Sequence, residues 1–159
     1  MKTQQNHTPK YWLMKSEPDV FGIDHLKKDK TTWWEGVRNY LARNYMMNEM
    51  HVGDQILFYH SNAKPSGIAG LAVVSHNAEP DQLQFNKKSA SFEKRATREK
   101  PVWFCVQVAF QHKFKNFISL EEIKQDPQCS NMLVIRKGQR LSIQPVSEKD
   151  FLYLKKKGL

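Results

Sequence analysis

The sequence predicts an α+β domain, a small mixed β-barrel flanked by helices, and three observations carry that expectation. Val102 to Phe114 alternates, with Val102, Phe104, Val106, Val108 and Phe110 on one face, the period-two signature of a strand. Gly67 to Ser75 is small and aliphatic, as in a tightly curved sheet where glycine permits close backbone approach. Between such segments lie stretches with helical spacing, and no linker divides the 159 residues. A chain of that length fits one domain, which buries roughly 70% of the surface of its unfolded chain. The expected division is a flexible tail over residues 1–10 and one domain over 11–159.

In chain order, Tyr11 to Lys15 reads as the first strand, closed by the turn-rich Ser16-Glu17-Pro18-Asp19. Ile23 to Asp29 reads as a short helix, and Gly36 precedes a longer one over Val37 to Met50, with Val37, Leu41 and Tyr45 at four-residue spacing. Val52-Gly53-Asp54 marks a turn before a strand over Gln55 to Ser61, in which Ile56, Phe58 and His60 share one face and Leu57, Tyr59 and Ser61 the other. Asn86 to Lys100 is basic and aperiodic, a long surface loop. Ser119 and Glu122 have capping-box spacing. Asn131 to Lys137 reads as a helix ended by Gly138. Leu141 to Val146 is a last strand with Pro145 at an edge or bulge, and Ser147 to Asp150 opens a final helix.

Composition narrows the function. Lys and Arg number 25 against 16 Asp and Glu, a formal charge of +9 that raises the local concentration of polyanions. No two of the six histidines stand three to five residues apart and the two cysteines lack Cys-x-x-Cys spacing, so neither a metal nor another cofactor is expected. Cys105 and Cys129 do not make a disulfide framework, and Cys105 is expected as a buried free thiol. Gly67-Ile68-Ala69-Gly70 lacks the Lys-Ser/Thr of a phosphate loop. His60 and Ser61 are neighbours on a strand and point to opposite faces, so they do not form a nucleophile–base pair. The polar segment from Met1 to Lys10 is not a signal peptide, and no apolar run reaches membrane-spanning length. A soluble, intracellular monomer is expected, cytoplasmic, or nuclear if the source is eukaryotic.

Two polar-aromatic blocks exceed what folding requires: Trp33 to Asn44, with Arg-Asn at both 38–39 and 43–44, and Phe58-Tyr59-His60-Ser61-Asn62. Trp12 and Trp103 sit in strands and read as packing residues, whereas Trp33 and Trp34 precede a helix entrance where one of them can wall a cleft. Aromatic, guanidinium and carboxamide groups at one helix end suit a planar, hydrogen-bonding ligand, most simply a nucleobase. Asn39 offers one acceptor and two donors for a base edge, and helix amides near Gly36 suit a phosphate.

These residues also carry a resemblance. Trp12-Leu13-Met14-Lys15-Ser16-Glu17-Pro18, Trp34-Glu35-Gly36-Val37-Arg38-Asn39-Tyr40, Ala42-Arg43-Asn44 and Phe58 to Asn62 are similar to EVE-domain proteins of the PUA-like superfamily. Pro65 with Gly67 to Gly70, Pro80-Asp81, Gln84-Phe85 and Arg140 to Pro145 continue the match in order, over Tyr11 to Leu154. The resemblance implies a PUA-like barrel and a pocket for a modified base, as in the related YTH domains. The bases associated with EVE proteins are 5-methylcytosine and 5-hydroxymethylcytosine, in DNA or RNA.

By motif position the implied pocket comprises Lys15, Ser16, Glu17, Trp34, Val37, Asn39, Tyr59, His60, Ser61, Asn62 and Ser142. Phosphate contacts are expected from Arg38, Arg43, Lys87, Lys88, Lys94, Arg95, Arg98 and Arg140. Where relatives often carry an aromatic followed by Asp-Pro-Lys, this chain has Phe92-Glu93-Lys94-Arg95, a more basic loop suited to a nucleic-acid backbone. The favoured reading is a binding module that takes a flipped base. The alternative is a small amidohydrolase for N4-acylated cytidine, because ASCH relatives use Lys, Glu and a hydroxyl residue, types that Lys15, Ser16 and Glu17 offer.

Overall fold

The computed structural model describes residues 7–159, and the expected tail therefore lies largely outside the described residues. Its last part is anchored: the Lys10 amide donates to Asp54 Oδ1 at 3.0 Å and the Lys10 ammonium to Glu49 at 2.8 Å. A buried carboxylate with free lone pairs captures the chain there, which sequence spacing does not reveal.

Six strands form one mixed sheet: β1 (Tyr11–Ser16), β2 (Thr31–Trp33), β3 (Gln55–His60), β4 (Gly67–Pro80), β5 (Phe104–Ser119) and β6 (Ile143–Val146). The spatial order is β2-β5-β4-β3-β1-β6. β1 and β3 run parallel, with Tyr11 opposite Gln55 and Ser16 opposite His60, and the other pairings are antiparallel. The α+β class holds, but hydrogen bonds do not close the barrel. β2 and β6 remain edges, and Pro145, which has no amide to donate, sits on edge strand β6 as the sequence predicts. Several register shifts along β4 and β5 bend the sheet in place of closure. Gly67 is required at one tight point, since a Cβ there would lie 2.2 Å from the Ile118 carbonyl oxygen.

Alternation sends side chains to two separate cores. Trp12, Met14, Ile56, Phe58, Val106 and Val108 pack on one face with Ile23 and Leu26 of α2 (Ile23–Asp29). Leu13, Leu57, Tyr59 and Phe114 pack on the other with Phe151 and Leu154 of α5 (Glu148–Gly158). Ser147 caps α5, its Oγ accepting from the Asp150 amide. Ser119 does the same for α4 (Leu120–Gln125), accepting from Glu122. Two short helices complete the framework, α1 (Pro18–Phe21) and α3 (Tyr40–Asn44).

Two helical expectations change. The stretch expected to be helical from Val37 begins only at Tyr40 and passes into one π-helical segment, Tyr45–Glu49. Asn39 is the cause of the late start, because its side chain accepts from the Ala42 amide and so fixes the N-cap. The expected Asn131 to Lys137 helix is a single 3₁₀ turn, Leu133–Ile135, although Gly138 does adopt a positive φ of 76°.

Candidate nucleic-acid interface

Parallel pairing places the ends of β1 and β3 side by side, and the Ser61 amide donates to the Ser16 carbonyl. Beyond the end of β1 the chain turns into α1. Across from it runs β2 with the loop that follows, held to β5 by the Trp34 amide donating to the Val106 carbonyl. Between these two segments opens a cavity of about 700 Å³. Ligand pockets generally occupy about 300–1,000 Å³.

Seven residues of the sequence-derived pocket line it: Lys15, Ser16, Glu17, Trp34, Val37, Asn39 and Ser142. Trp34 is only 8% exposed, and its ring meets Phe58 edge to face with centroids 5.6 Å apart. Core packing thus fixes the plane of the wall. Trp33 also reaches the cavity, 36% exposed beside His76.

Hydrogen bonding sets what each polar group has left to offer. Ser16 Oγ donates to the Phe21 carbonyl at 2.7 Å, which spends its proton and leaves acceptor lone pairs. Asn39 Oδ1 is occupied by the helix cap, so its Nδ2 remains as a donor. Glu17 Oε1 receives Asn62 Nδ2 at 2.7 Å. Burial pushes the Lys15 ammonium below its ordinary pKa. That ammonium lies 5.8 Å from the Tyr59 ring centroid and 3.5 Å from the Gln139 carbonyl, on the side of the sheet opposite Ser16. Lys15 and Ser16 thus leave β1 on opposite faces, although all three residues reach the cavity.

The other four pocket candidates, Tyr59, His60, Ser61 and Asn62, do not line this cavity. Tyr59 is buried in the second core, where strand alternation sends it. His60 Nε2 accepts from the Ile23 amide at 3.1 Å and so secures α2. Ser61 contributes its backbone pairing to Ser16, and Asn62, at φ 49°, buttresses Glu17. Of the four, Ser61 and Asn62 bond to the cavity-lining Ser16 and Glu17. In turn, Phe21, Thr32, Glu35 and Leu83 line the cavity without being in the sequence-derived set. Of these only Glu35 left a signal, as the one acid in the Trp33 to Asn44 block.

Gly36 is not a helix entrance. It turns at φ 86°, and its amide donates to Asp81 Oδ2 at 2.7 Å, so no helix amide is left there for a phosphate. Arg38 Nη1 shares the same oxygen at 3.0 Å, while Nε and Nη2 hold the Ser91 carbonyl. The cavity loop thus hangs on a carboxylate 45 residues away in sequence.

A family model described as EVE domain matches residues 10–157. The chain belongs to the EVE-domain family. This EVE domain is 39% identical to thymocyte nuclear protein 1 of Gallus gallus over 160 residues, covering 89% of this chain and 65% of that protein. It therefore spans just under two thirds of that relative's length. A hypothetical protein from Leishmania major superposes with a TM-score of 0.90 at 44% identity, covering 95% of both chains. Human THYN1, solved in complex with 5-methylcytosine-containing DNA, superposes with a TM-score of 0.85 at 38% identity, covering 94% of this chain and 97% of that one.

The basic groups of the EVE domain fall into two sets. Arg38 and Arg43 stack on Trp103, and Arg43 also holds the Val102 carbonyl. Arg95 pairs with Glu93 and Tyr40, and Arg98 lies over Phe85. These four arginines also bond within the protein, because a planar guanidinium finds carbonyls, carboxylates and rings together, while Arg95 and Arg98 remain exposed. Lys87, Lys88, Lys94 and Arg140 are exposed.

Far from the cavity, His7, His51 and Asp54 bring one potential ligand atom each within 4.8 Å, a grouping that sequence spacing misses. Asp54 already accepts from the Lys10 amide, Trp12 Nε1 and the His51 amide. Both cysteines are buried free thiols, with burial pushing Cys105 up to about 12 and Cys129 to about 11, which removes them as nucleophiles. Among the described residues, no helix is long and apolar enough to cross a membrane.

Proposed function

We propose that this EVE domain binds DNA and holds one modified cytosine, flipped out of the stack, in the cavity beside Trp34. The observation that carries the reading is an open cleft, large enough to admit a base and its sugar, with a rigid indole wall and uncommitted polar groups. It gains support from the human relative solved with 5-methylcytosine-containing DNA. In this reading Trp34 stacks on the base, Asn39 Nδ2 donates to a ring acceptor, and Ser16, Glu17, Val37 and Ser142 shape the rim. Lys87, Lys88, Lys94 and Arg140 meet phosphates.

Magnitudes constrain the mechanism. Flipping costs a few kcal/mol, and stacking on an aromatic ring returns about 1–3 kcal/mol. The hydrogen bonds and phosphate contacts must supply the rest. One buried methyl adds about 0.8 kcal/mol, roughly fourfold in affinity, so the 5-methyl group alone selects weakly.

The test is titration of a 5-methylcytosine oligonucleotide with wild type and Trp34→Ala. Affinity is expected to fall by about tenfold or more. Unchanged affinity in a folded variant sinks the assignment. Unmodified, 5-hydroxymethylated and RNA versions of the oligonucleotide rank the ligands.

A further inference from the structure

Glu35 is the cavity-lining carboxylate that the protein itself does not use. Glu17 is held by Asn62. Asp81, behind the loop, is saturated by Gly36, Arg38 and Leu83. Glu35 follows the indole wall directly and lines the cavity with Trp34 and Asn39. Its own amide is anchored to the Trp33 carbonyl, which fixes the backbone from which the side chain projects. Arg38, the cation that would neutralise it, is committed to Asp81 and Ser91. Burial at the cavity wall and the Asp81 charge raise the Glu35 pKa, partly opposed by Arg38, and no hydrogen bond contributes to the shift.

We infer that Glu35 distinguishes a cytosine from a thymine, by accepting a hydrogen bond from the exocyclic N4 amino group of the bound base. This rests on the base-binding reading above. The chemistry follows from the two free ends in the cavity. Asn39 presents a donor, and an ionised Glu35 presents only acceptors. The Watson–Crick edge of cytosine carries the complement, acceptors at O2 and N3 and a donor at N4. 5-Methylcytosine and thymine have the same ring and the same methyl group, so the indole wall does not separate them. They differ at position 4, where thymine places a carbonyl oxygen against the carboxylate. Glu35 is exposed in the free protein, so it is the bound base that covers it; two acceptors facing each other there are both left unpaired. Carboxylate acceptance from cytosine N4 is an established pattern of base readout. Such discrimination would keep the domain from engaging thymine, which every DNA carries in excess over the methylated base.

The experiment compares two oligonucleotide duplexes carrying either 5-methylcytosine or thymine opposite an abasic site, so that neither base loses a pair on flipping. Wild type, Glu35→Gln and Trp34→Ala are titrated against both. Wild type is expected to prefer 5-methylcytosine by about tenfold or more. Glu35→Gln preserves the shape and offers both a donor and an acceptor, so the ratio should collapse to within about twofold. Removing a negative charge strengthens binding to any DNA, which is why the ratio is the readout. A wild type without preference, or a Glu35→Gln variant that retains it, overturns the inference, and loss of binding in Trp34→Ala would then leave the cavity reading standing. Binding that ignores both Trp34 and the base overturns the two together.

Discussion

Asp54 and Asp81 are built alike and serve different ends. Both carboxylates are almost without solvent contact, at 0% and 1% exposure, and each receives three N–H donors. The donors around Asp54 come from the start of β1 and from the turn before β3, so the group locks the domain's entry strand to its neighbour. Those around Asp81 come from Gly36, Arg38 and Leu83, all of which line the cavity. Similar bonding therefore gives a clamp in one place and a suspended cavity wall in the other. Burial and bond count do not tell the two apart. What their donors are attached to does.

Replacing each in turn should separate stability from binding. Asp54→Ala and Asp81→Ala are each expected to cost about 3 kcal/mol or more in urea unfolding, since three buried donors lose their acceptor. Only Asp81→Ala should also weaken base binding, by about tenfold, when both variants are assayed well below their unfolding transitions. Matching losses of affinity would erase the distinction.

A smaller effect sharpens the same contrast at His60, which holds α2 behind the rim. Burial lowers its pKa below the ordinary 6.5, with Lys113 adding and Asp24 opposing. Between the lowered folded value and 6.5 the unfolded chain binds more protons. Stability from this group is therefore full above about pH 6.5 and is lost as the pH falls through that window. Protonation also converts Nε2 from acceptor to donor against the Ile23 amide. Urea midpoints measured across pH 5–8 should slope less in His60→Gln than in wild type. Smallest of all, Lys87→Ala and Lys88→Ala should leave stability unchanged, weaken all DNA sequences alike and each lower the salt slope by about one. A base-dependent loss would move these lysines from the phosphates to the cavity.

The legible parts of the fold are those set by local pattern. Alternation in Val102 to Phe114 marks β5, and hydroxyls three residues ahead of an acid mark the starts of α4 and α5. The Trp33-Trp34 block marks the cavity wall, although Trp34 also belongs to the first core. What stays hidden is set at long range. Val37 to Asn39 falls in a stretch with helical spacing yet is an irregular loop, because Asn39 caps the helix late and Asp81 holds Gly36 and Arg38 from 45 and 43 residues away. Tyr59 to Asn62 has pocket chemistry, but its groups are already spoken for by the second core, the Ile23 amide, Ser16 and Glu17. The internal partners of the arginines are hidden in the same way. A sequence displays donors and not the carbonyls that consume them.

Capping by Asn39 has a consequence for handedness of reading. A free carboxamide looks the same to a ligand from either side, since half a rotation exchanges its oxygen and nitrogen. Here helix α3 claims the oxygen through the Ala42 amide. The exchange is forbidden unless the helix start frays, so the group enters the cavity with one polarity only. A base inserted with its edge reversed would find its donor facing a donor, so under the proposed binding the first turn of a five-residue helix would fix which way round the base sits.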